Sequence, residues 1–395
     1  MWRQLLVGVF VFMLAAGTTI GVMTLLEERR GSPDEGVVAP PPPPPIPKPI
    51  SAEMRIMLAG TTFWGRRTGQ YVSNSGLGFD YPFSGLEQLG RDDFDAWIAG
   101  LECPVTDGGY DYYQEEQLLS FNCDPAYLPE AAKWFTAFSL GNNHTDNRGE
   151  DGFEMTKQYL ANNGIQYFGH HEYWNTSEVC GPVIIKVQVK YDIGESREHS
   201  LPVAFCGYHG FIGIPTDEAR AEIVRWAEVM PVIAMPHMGV EYVPNSDGLR
   251  EAIYREMIDL GADMVIADHP HWVQNSEVYN GKLIVYSMGN FMFDQVWGGD
   301  LEVERSAAIG AYASFGKLDY GGWDKVSEKC LADKAGCIDT VKMSGLPKLA
   351  AKWKFDYRAT INNGAYVTVL ADDYQQAAVG ARLNWQSVID DGLSR

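Results

Sequence analysis

Four histidines sit where short apolar runs break into polar residues. His144 lies in Gly141-Asn142-Asn143-His144-Thr145-Asp146, His237 in Pro236-His237-Met238-Gly239-Val240-Glu241-Tyr242, and His269 and His271 in Asp268-His269-Pro270-His271. The runs ahead of them, Trp134 to Leu140, Val232 to Met235 and Met264 to Ala267, have the length and apolar content of strands. In α/β proteins ligands gather at strand tips. An imidazole or an Asn carbonyl can hold a metal, and an imidazole can also protonate a leaving group. Half of the eight histidines of the chain occupy these tips, which chance placement of core histidines explains poorly. The pattern therefore predicts one convergent metal or phosphate-type site. Glu102 follows the apolar run ending at Leu101 and offers a carboxylate; Asp146 either orients His144 or caps the next turn. His170 and His171 are adjacent, so on a strand they would face opposite sides and make a poor joint metal site. They read as surface or structural residues.

The elements that must carry these groups alternate between strand and helix, which marks an α/β fold. Met54 to Ala59 reads as the first strand of the folded domain, ending at Gly60-Thr61-Thr62, with Arg66 and Arg67 beyond it facing either an anion or solvent. A helix from Gly149 to Ala161 ends at Asn163-Gly164. Val183 to Val189 and Leu201 to Gly207 read as antiparallel neighbours. Asp247 can cap a helix whose Leu249, Ile253, Met257 and Leu260 form an apolar stripe, closed by Gly261. Lys282 to Met288 gives a strand tipped by Gly289-Asn290. The region 296–360 carries no catalytic cluster and reads, over Leu301 to Ala350, as an excursion on one side. Gly364 to Leu370 and Ala378 to Leu383 read as late strands at the sheet edge.

The 395 residues suffice for one or two domains, and 46% apolar content marks a folded chain. A net charge of −21 argues against nucleic acid and against anionic lipid as partners, and tolerates a cationic or metal-loaded one. Six cysteines include two sequence-near pairs, Cys103/Cys123 and Cys330/Cys337, that can close loops in an oxidising compartment. Leu5 to Leu26 is an uncharged run of 22 residues, long enough to span a bilayer. Residues 1–30 thus read as an uncleaved transmembrane signal-anchor, with a cleaved signal peptide as the alternative. Residues 31–50, with eight prolines from Pro40 to Pro49, read as a stiff linker, and residues 51–395 as the folded domain.

These motifs together resemble the CapA family of capsule and poly-γ-glutamate synthesis proteins, which includes the PgsA component. The match runs through Gly60 to Arg66, Leu101-Glu102-Cys103-Pro104, Asn142-Asn143-His144 with Asp146 and Gly149, and His237 to Tyr242. It continues through His269-Pro270-His271 with Gln274, Glu277, Tyr279, Gly281 and Lys282, and ends in Tyr286-Ser287-Met288-Gly289-Asn290-Phe291. The resemblance implies a layered α/β fold like that of calcineurin-type metallophosphatases, a β-sandwich flanked by helices, behind the N-terminal transmembrane helix. It implies Glu102, Asn143, His237, His269 and His271 as metal ligands, with His144 and Asp146 as the catalytic pair and His144 the general acid. Two positions depart: Thr61 stands where the family usually has Asp, and Gly100 where Asn is common. A hydroxyl cannot bridge two divalent ions, so at most one manganese, zinc or iron ion is expected to bind tightly.

The leading expectation is a membrane-anchored, single-pass cell-membrane protein of capsule or poly-γ-glutamate biosynthesis, its domain extracytoplasmic, acting as a metal-dependent hydrolase. The alternative is a non-enzymatic polymer-binding or synthase-accessory subunit with a degenerate metal site. A surface interaction module unconnected with polyglutamate is the third. The implied partners are an anionic polymer such as poly-γ-glutamate, membrane synthase subunits and the membrane itself.

Overall fold

One long strand, β1 (Pro49–Thr62), is the hub of the sheet. In the computed structural model, which describes residues 46–109, 111, 113–295 and 301–395, the chain continues through α1 (Arg66–Ser75), β2 (Ala96–Leu101), α2 (Leu128–Trp134), β3 (Ala137–Ser139), α3 (Gly149–Asn162) and β4 (Gln166–Phe168). Next come β5 (Cys180–Tyr191), β6 (Ser196–His209), α4 (Asp217–Ala227), β7 (Val232–His237), α5 (Gly248–Asp259) and β8 (Met264–Ile266). The remainder is β9 (Ser276–Tyr279), β10 (Lys282–Val285), β11 (Asn290–Met292), β12 (Arg305–Phe315), α6 (Tyr320–Ala332), α7 (Cys337–Ser344), β13 (Lys352–Asn362), β14 (Thr368–Leu370), α8 (Asp373–Arg382) and α9 (Trp385–Asp390).

β1 has four partners. It pairs antiparallel with β5 at its start and with β12 along Ala52 to Leu58, then parallel with β2 from Ile56 and with β11 at Thr61 and Thr62. Register shifts between Ala59 and Thr62 let its end turn away from the first partners. Three arms leave this hub: β12-β13-β14, β5-β6-β7-β8-β10-β9, and β2-β3-β4. Parallel neighbours need crossovers. α2 and α3 supply them in the third arm, α4 and α5 between β6, β7 and β8. The functional tips therefore fall at the C-terminal ends of parallel strands in the second and third arms.

The two parallel arms touch at three glycines. A Cβ on Gly141 would lie 2.5 Å from the Gly207 carbonyl carbon, and one on Gly207 would lie 3.0 Å from Gly169 Cα, so only glycine lets these backbones approach. Nearby, the Gln166 amide bonds both backbone groups of Ile184, each at 2.9 Å. This contact brings the β3 tip, with His144, alongside the β6 and β7 tips. Below the tips, apolar residues on opposite faces of the sheet build two cores. One has β5 to β8 packed by Ile223, Trp226, Tyr254 and Met257 of α4 and α5. The other gathers Trp64, Trp97, Phe138 and Phe153. α5 starts where expected: the Asp247 carboxylate accepts the Leu249 and Arg250 N–H groups at 3.0 and 3.1 Å. Its buried face is Ile253, Tyr254, Met257 and Ile258, while Leu249 is exposed.

Several expectations are corrected. Among the described residues no helix is long and apolar enough to cross a membrane. Among the described residues the fold is a mixed α/β fold of sheet and helix layers with no membrane-spanning helix, and its strands form one branched sheet rather than two separate sheets of a sandwich. Leu5 to Leu26 lies outside the described residues. The signal-anchor, the membrane as a partner, the single-pass cell-membrane localisation and the membrane-anchored function all rested on that run; the described residues supply no membrane-spanning helix for them, and they are not carried forward. Leu301 to Ala350 is no excursion: β12 sits beside β1 in the sheet, and the Cys330–Cys337 disulfide ties α6 to α7. Ala378 to Leu383 belongs mostly to α8, whose start is capped by the Asp372 carboxylate accepting the Gln375 N–H at 2.8 Å. Cys103–Cys123 is paired, and Cys180–Cys206 crosses between β5 and β6.

Candidate functional site

His237 ends β7, where it is paired in parallel register with His209 of β6 on one side and bridged to Asp268 after β8 on the other. Beyond Asp268 the backbone turns unusually. His269 has φ +97° and His271 φ +60°, the left-handed region that residues with a Cβ rarely adopt. Such conformations persist where the surroundings over-determine them. Here they break the strand alternation and place both rings in one region, their centroids 6.0 Å apart.

The contacts are direct. His237 Nδ1 is 2.8 Å from Asp268 Oδ1, and its Nε2 is 2.9 Å from Asn143 Oδ1 and 3.1 Å from His269 Nδ1. His271 Nδ1–H donates to Asn290 Oδ1 at 2.8 Å. His144 Nδ1–H donates to Asn147 Oδ1 at 2.8 Å, and its ring stacks on Phe121 at 4.0 Å. Glu102 Oε1 lies 3.7 Å from His144 Nε2 and 4.0 Å from His237 Nε2. The tips of β2, β3, β7 and β8 thus face one space, with Glu102, His237, His269 and His271 buried in it.

Asp146 is elsewhere. Its carboxylate is 3.9 Å from His171 Nδ1 and half exposed, and Asn147, not Asp146, orients the His144 ring. The sequence reading missed Asp268, Asn147 and Asn290 as orienting groups. The signal for Asp268 was its place as the first polar residue after β8, but strand alternation alone does not say that its carboxylate turns toward His237. Thr61 Oγ1 lies 3.4 Å from Asp268 Oδ2, and a Cβ on Gly100 would come within 2.4 Å of that oxygen. The Asp268 carboxylate therefore fills the space above Gly100.

Burial governs the charge. Desolvation, reinforced by the neighbouring Asp268 and Glu241 carboxylates, holds the Glu102 carboxyl well above its usual range. Burial also pushes Asp268 up to about 7. It pushes His144 down to about 3 and His271 to about 4, and holds His237 and His269 well below the usual imidazole value. With Asp268 protonated, its O–H donates to His237 Nδ1 and His237 Nε2–H donates to Asn143 Oδ1. With Asp268 ionised, His237 gives Nδ1–H to it and turns the Nε2 lone pair inward. The first arrangement engages both His237 nitrogens without a cation.

Those donors do not fit a two-ion centre. Among the described residues, the one group of three His, Cys, Asp or Glu residues whose ligand atoms all lie within 4.8 Å of one another is Glu150, His170 and His171, outside this pocket. In the pocket, Thr61 supplies no bridging carboxylate, and the two buried ligand-type atoms left without a hydrogen-bond partner, Glu102 Oε2 and His269 Nε2, make a partial set at most. The pocket thus matches the alternative, a degenerate metal site, better than the full site of a metal-dependent hydrolase. Glu150, His170 and His171 form a partial cluster able to coordinate a metal, contrary to the expectation that the two histidines are a poor joint site.

Comparison with known proteins agrees with the motif pattern. The sequence profile of the family described as bacterial capsule synthesis protein PGA_cap matches residues 55–295. The chain is 27% identical over 250 residues to the PGA biosynthesis protein CapA of Bacillus subtilis (strain 168), covering 58% of this chain and 61% of that protein. It is 27% identical over 177 residues to the capsule biosynthesis protein CapA of Bacillus anthracis, covering 41% of each. The match thus spans less than two thirds of the length of these curated relatives. A solved structure, TT1561 of Thermus thermophilus, aligns with 65% of this chain and 93% of its own at 9% identity and a TM-score of 0.35, a likeness that carries no argument.

Proposed function

We propose, from the premise that this chain belongs to the PGA_cap family of bacterial capsule synthesis proteins, that it is a non-enzymatic accessory subunit of capsule or poly-γ-glutamate biosynthesis, binding the acidic polymer, with a degenerate metal site. The observation that carries this reading is that both His237 ring nitrogens are already engaged inside the pocket, with Asp268, Asn143 and His269 at 2.8 to 3.1 Å, where a metal centre would need a His237 lone pair. Glu102, Asn143, His237, His269 and His271 are then the remnant of a ligand set, and His144 is held by Asn147 beside it. The pairing of all six cysteines suits an oxidising compartment.

The chain as a whole holds at most one manganese, zinc or iron ion tightly. Two divalent ions a few ångströms apart repel each other, and bridging carboxylates normally offset this. Thr61 cannot. Elemental analysis after identical metal loading tests the point. The unmodified chain should carry no more than one tightly held ion, and Thr61→Asp, which sets a third carboxylate beside Asp268 and Glu102, should carry one more than the unmodified chain. Two tight ions in the unmodified protein would refute the reading.

A further inference from the structure

We propose that Glu150, His170 and His171 bind one zinc-class divalent ion whose open coordination position grips the carboxylates of an acidic polymer. The polymer is then held at this corner, not in the strand-tip pocket. The inference rests on the accessory-subunit reading above and adds where, and through what, the polymer is bound.

The local sequence explains why two adjacent histidines act together. β4 ends at Phe168, and Gly169 takes φ +86°, which ends the strand alternation. His170 keeps only an isolated bridge to Tyr208. The two rings consequently stack, centroids 4.4 Å apart and planes 26° from parallel. Phe153 of α3 meets both edge-on, at 4.8 and 4.6 Å, and so fixes them from below. Glu150, in the first turn of the same helix, brings Oε2 to 3.3 Å from His171 Nε2. Asp146 Oδ2 stands 3.9 Å from His171 Nδ1 at the rim. His209 Nδ1–H donates to the His171 carbonyl and holds the turn. The His170 Nδ1 lone pair now accepts the Glu172 N–H at 3.0 Å, a bond that an ion bound at this nitrogen would replace.

Two imidazoles and one carboxylate suit an ion of the zinc class and leave a fourth position free. The Glu150 and Asp146 side chains are 63% and 45% exposed, so that position opens to solvent. In the strand-tip pocket the carboxylates nearest the imidazoles, Glu102 and Asp268, are both buried. Charge supplies the remaining argument. A chain of net charge −21 repels a polyanion. A bound dication offsets the charges of Glu150 and Asp146, and a carboxylate oxygen is a ligand it accepts.

The test uses the purified full chain, zinc and poly-γ-glutamate. Equilibrium dialysis should show one zinc ion per chain. Loss of a direct ligand should cost at least the roughly 10–100-fold that loss of an outer partner costs, so His171→Ala and the surface change Glu150→Gln should both weaken zinc that far. His269→Ala should leave zinc unchanged. Retention of labelled polymer should require zinc, and should disappear in the first two variants and persist in the third. Zinc binding undiminished in both Glu150→Gln and His171→Ala would overturn the site. Polymer retention that survives a chelator would overturn the bridge while leaving the accessory-subunit reading intact. Absence of polymer binding with or without zinc would overturn both.

Discussion

Asp294→Ala should lower the unfolding free energy by about 3 kcal/mol, the scale expected when one partner of a buried ion pair is removed. Asp294 and Arg66 are both buried. The Asp294 carboxylate accepts Arg66 Nε–H at 3.0 Å, a second guanidinium N–H through Nη2, and the Arg67 backbone N–H at 3.2 Å. The guanidinium lies among three rings, 4.4 Å from the Phe121 centroid, 5.1 Å from Phe63 and 5.5 Å from Phe293. Losing the carboxylate leaves a desolvated cation against aromatic faces, which compensate only part of the charge. The pair joins the start of α1 to the chain just after β11, and Phe121 carries the His144 ring on the same wall. Chemical denaturation measures the loss. Changing both residues to apolar ones should recover much of it, because an intact buried pair and a packed apolar replacement are often close in energy. A single-variant loss under about 1 kcal/mol would mean that the pair is not desolvated as the packing indicates.

Glu115→Gln should stabilise the protein at pH 8 by on the order of 2–3 kcal/mol and change nothing near pH 4. Burial pushes the Glu115 carboxyl up to about 7, against the pull of the Arg66 N–H and the Arg148 charge. A carboxyl raised on folding favours the native state while protonated. Its contribution is full below the ordinary value of 4.5 and is lost as pH rises through about 7. Glutamine mimics the protonated form, and its carbonyl can still accept the Arg66 N–H that now reaches Glu115 Oε2 at 3.2 Å. Denaturation curves of the two proteins should coincide in acid and separate above neutrality. An equal difference at both pH values would show that the effect is packing and not ionisation.

Which parts of the molecule were legible in the sequence follows from the range of the forces involved. β1, β5, β6, β7 and α5 announce themselves because alternation, apolar stripes and caps such as Asp247 are local. α8 was misread because its apolar residues are few: Val379 is its one buried residue, so the helix stripe is missing from the pattern. β12 was missed because its neighbours in the sheet, β1 and β13, are distant in sequence. In the site, the strand-tip position of His144, His237, His269 and His271 could be read from apolar-to-polar transitions. The proximity of His170 to His171 could not, because it depends on the positive φ of Gly169 and on Phe153 from another element. The turn of Asp268 toward His237 is likewise set by the empty space over Gly100, 168 residues earlier in the chain.

The most direct test of the accessory, non-catalytic role is the polymer output of cells whose chain carries His269→Gln together with His271→Gln, with its abundance checked in parallel. Glutamine keeps hydrogen-bonding capacity in the buried pocket but removes both imidazoles. The account predicts capsular polymer at the unmodified level from normal amounts of protein. Loss of polymer with the protein present at its normal level would contradict it, since the strand-tip imidazoles would then be needed for the function itself.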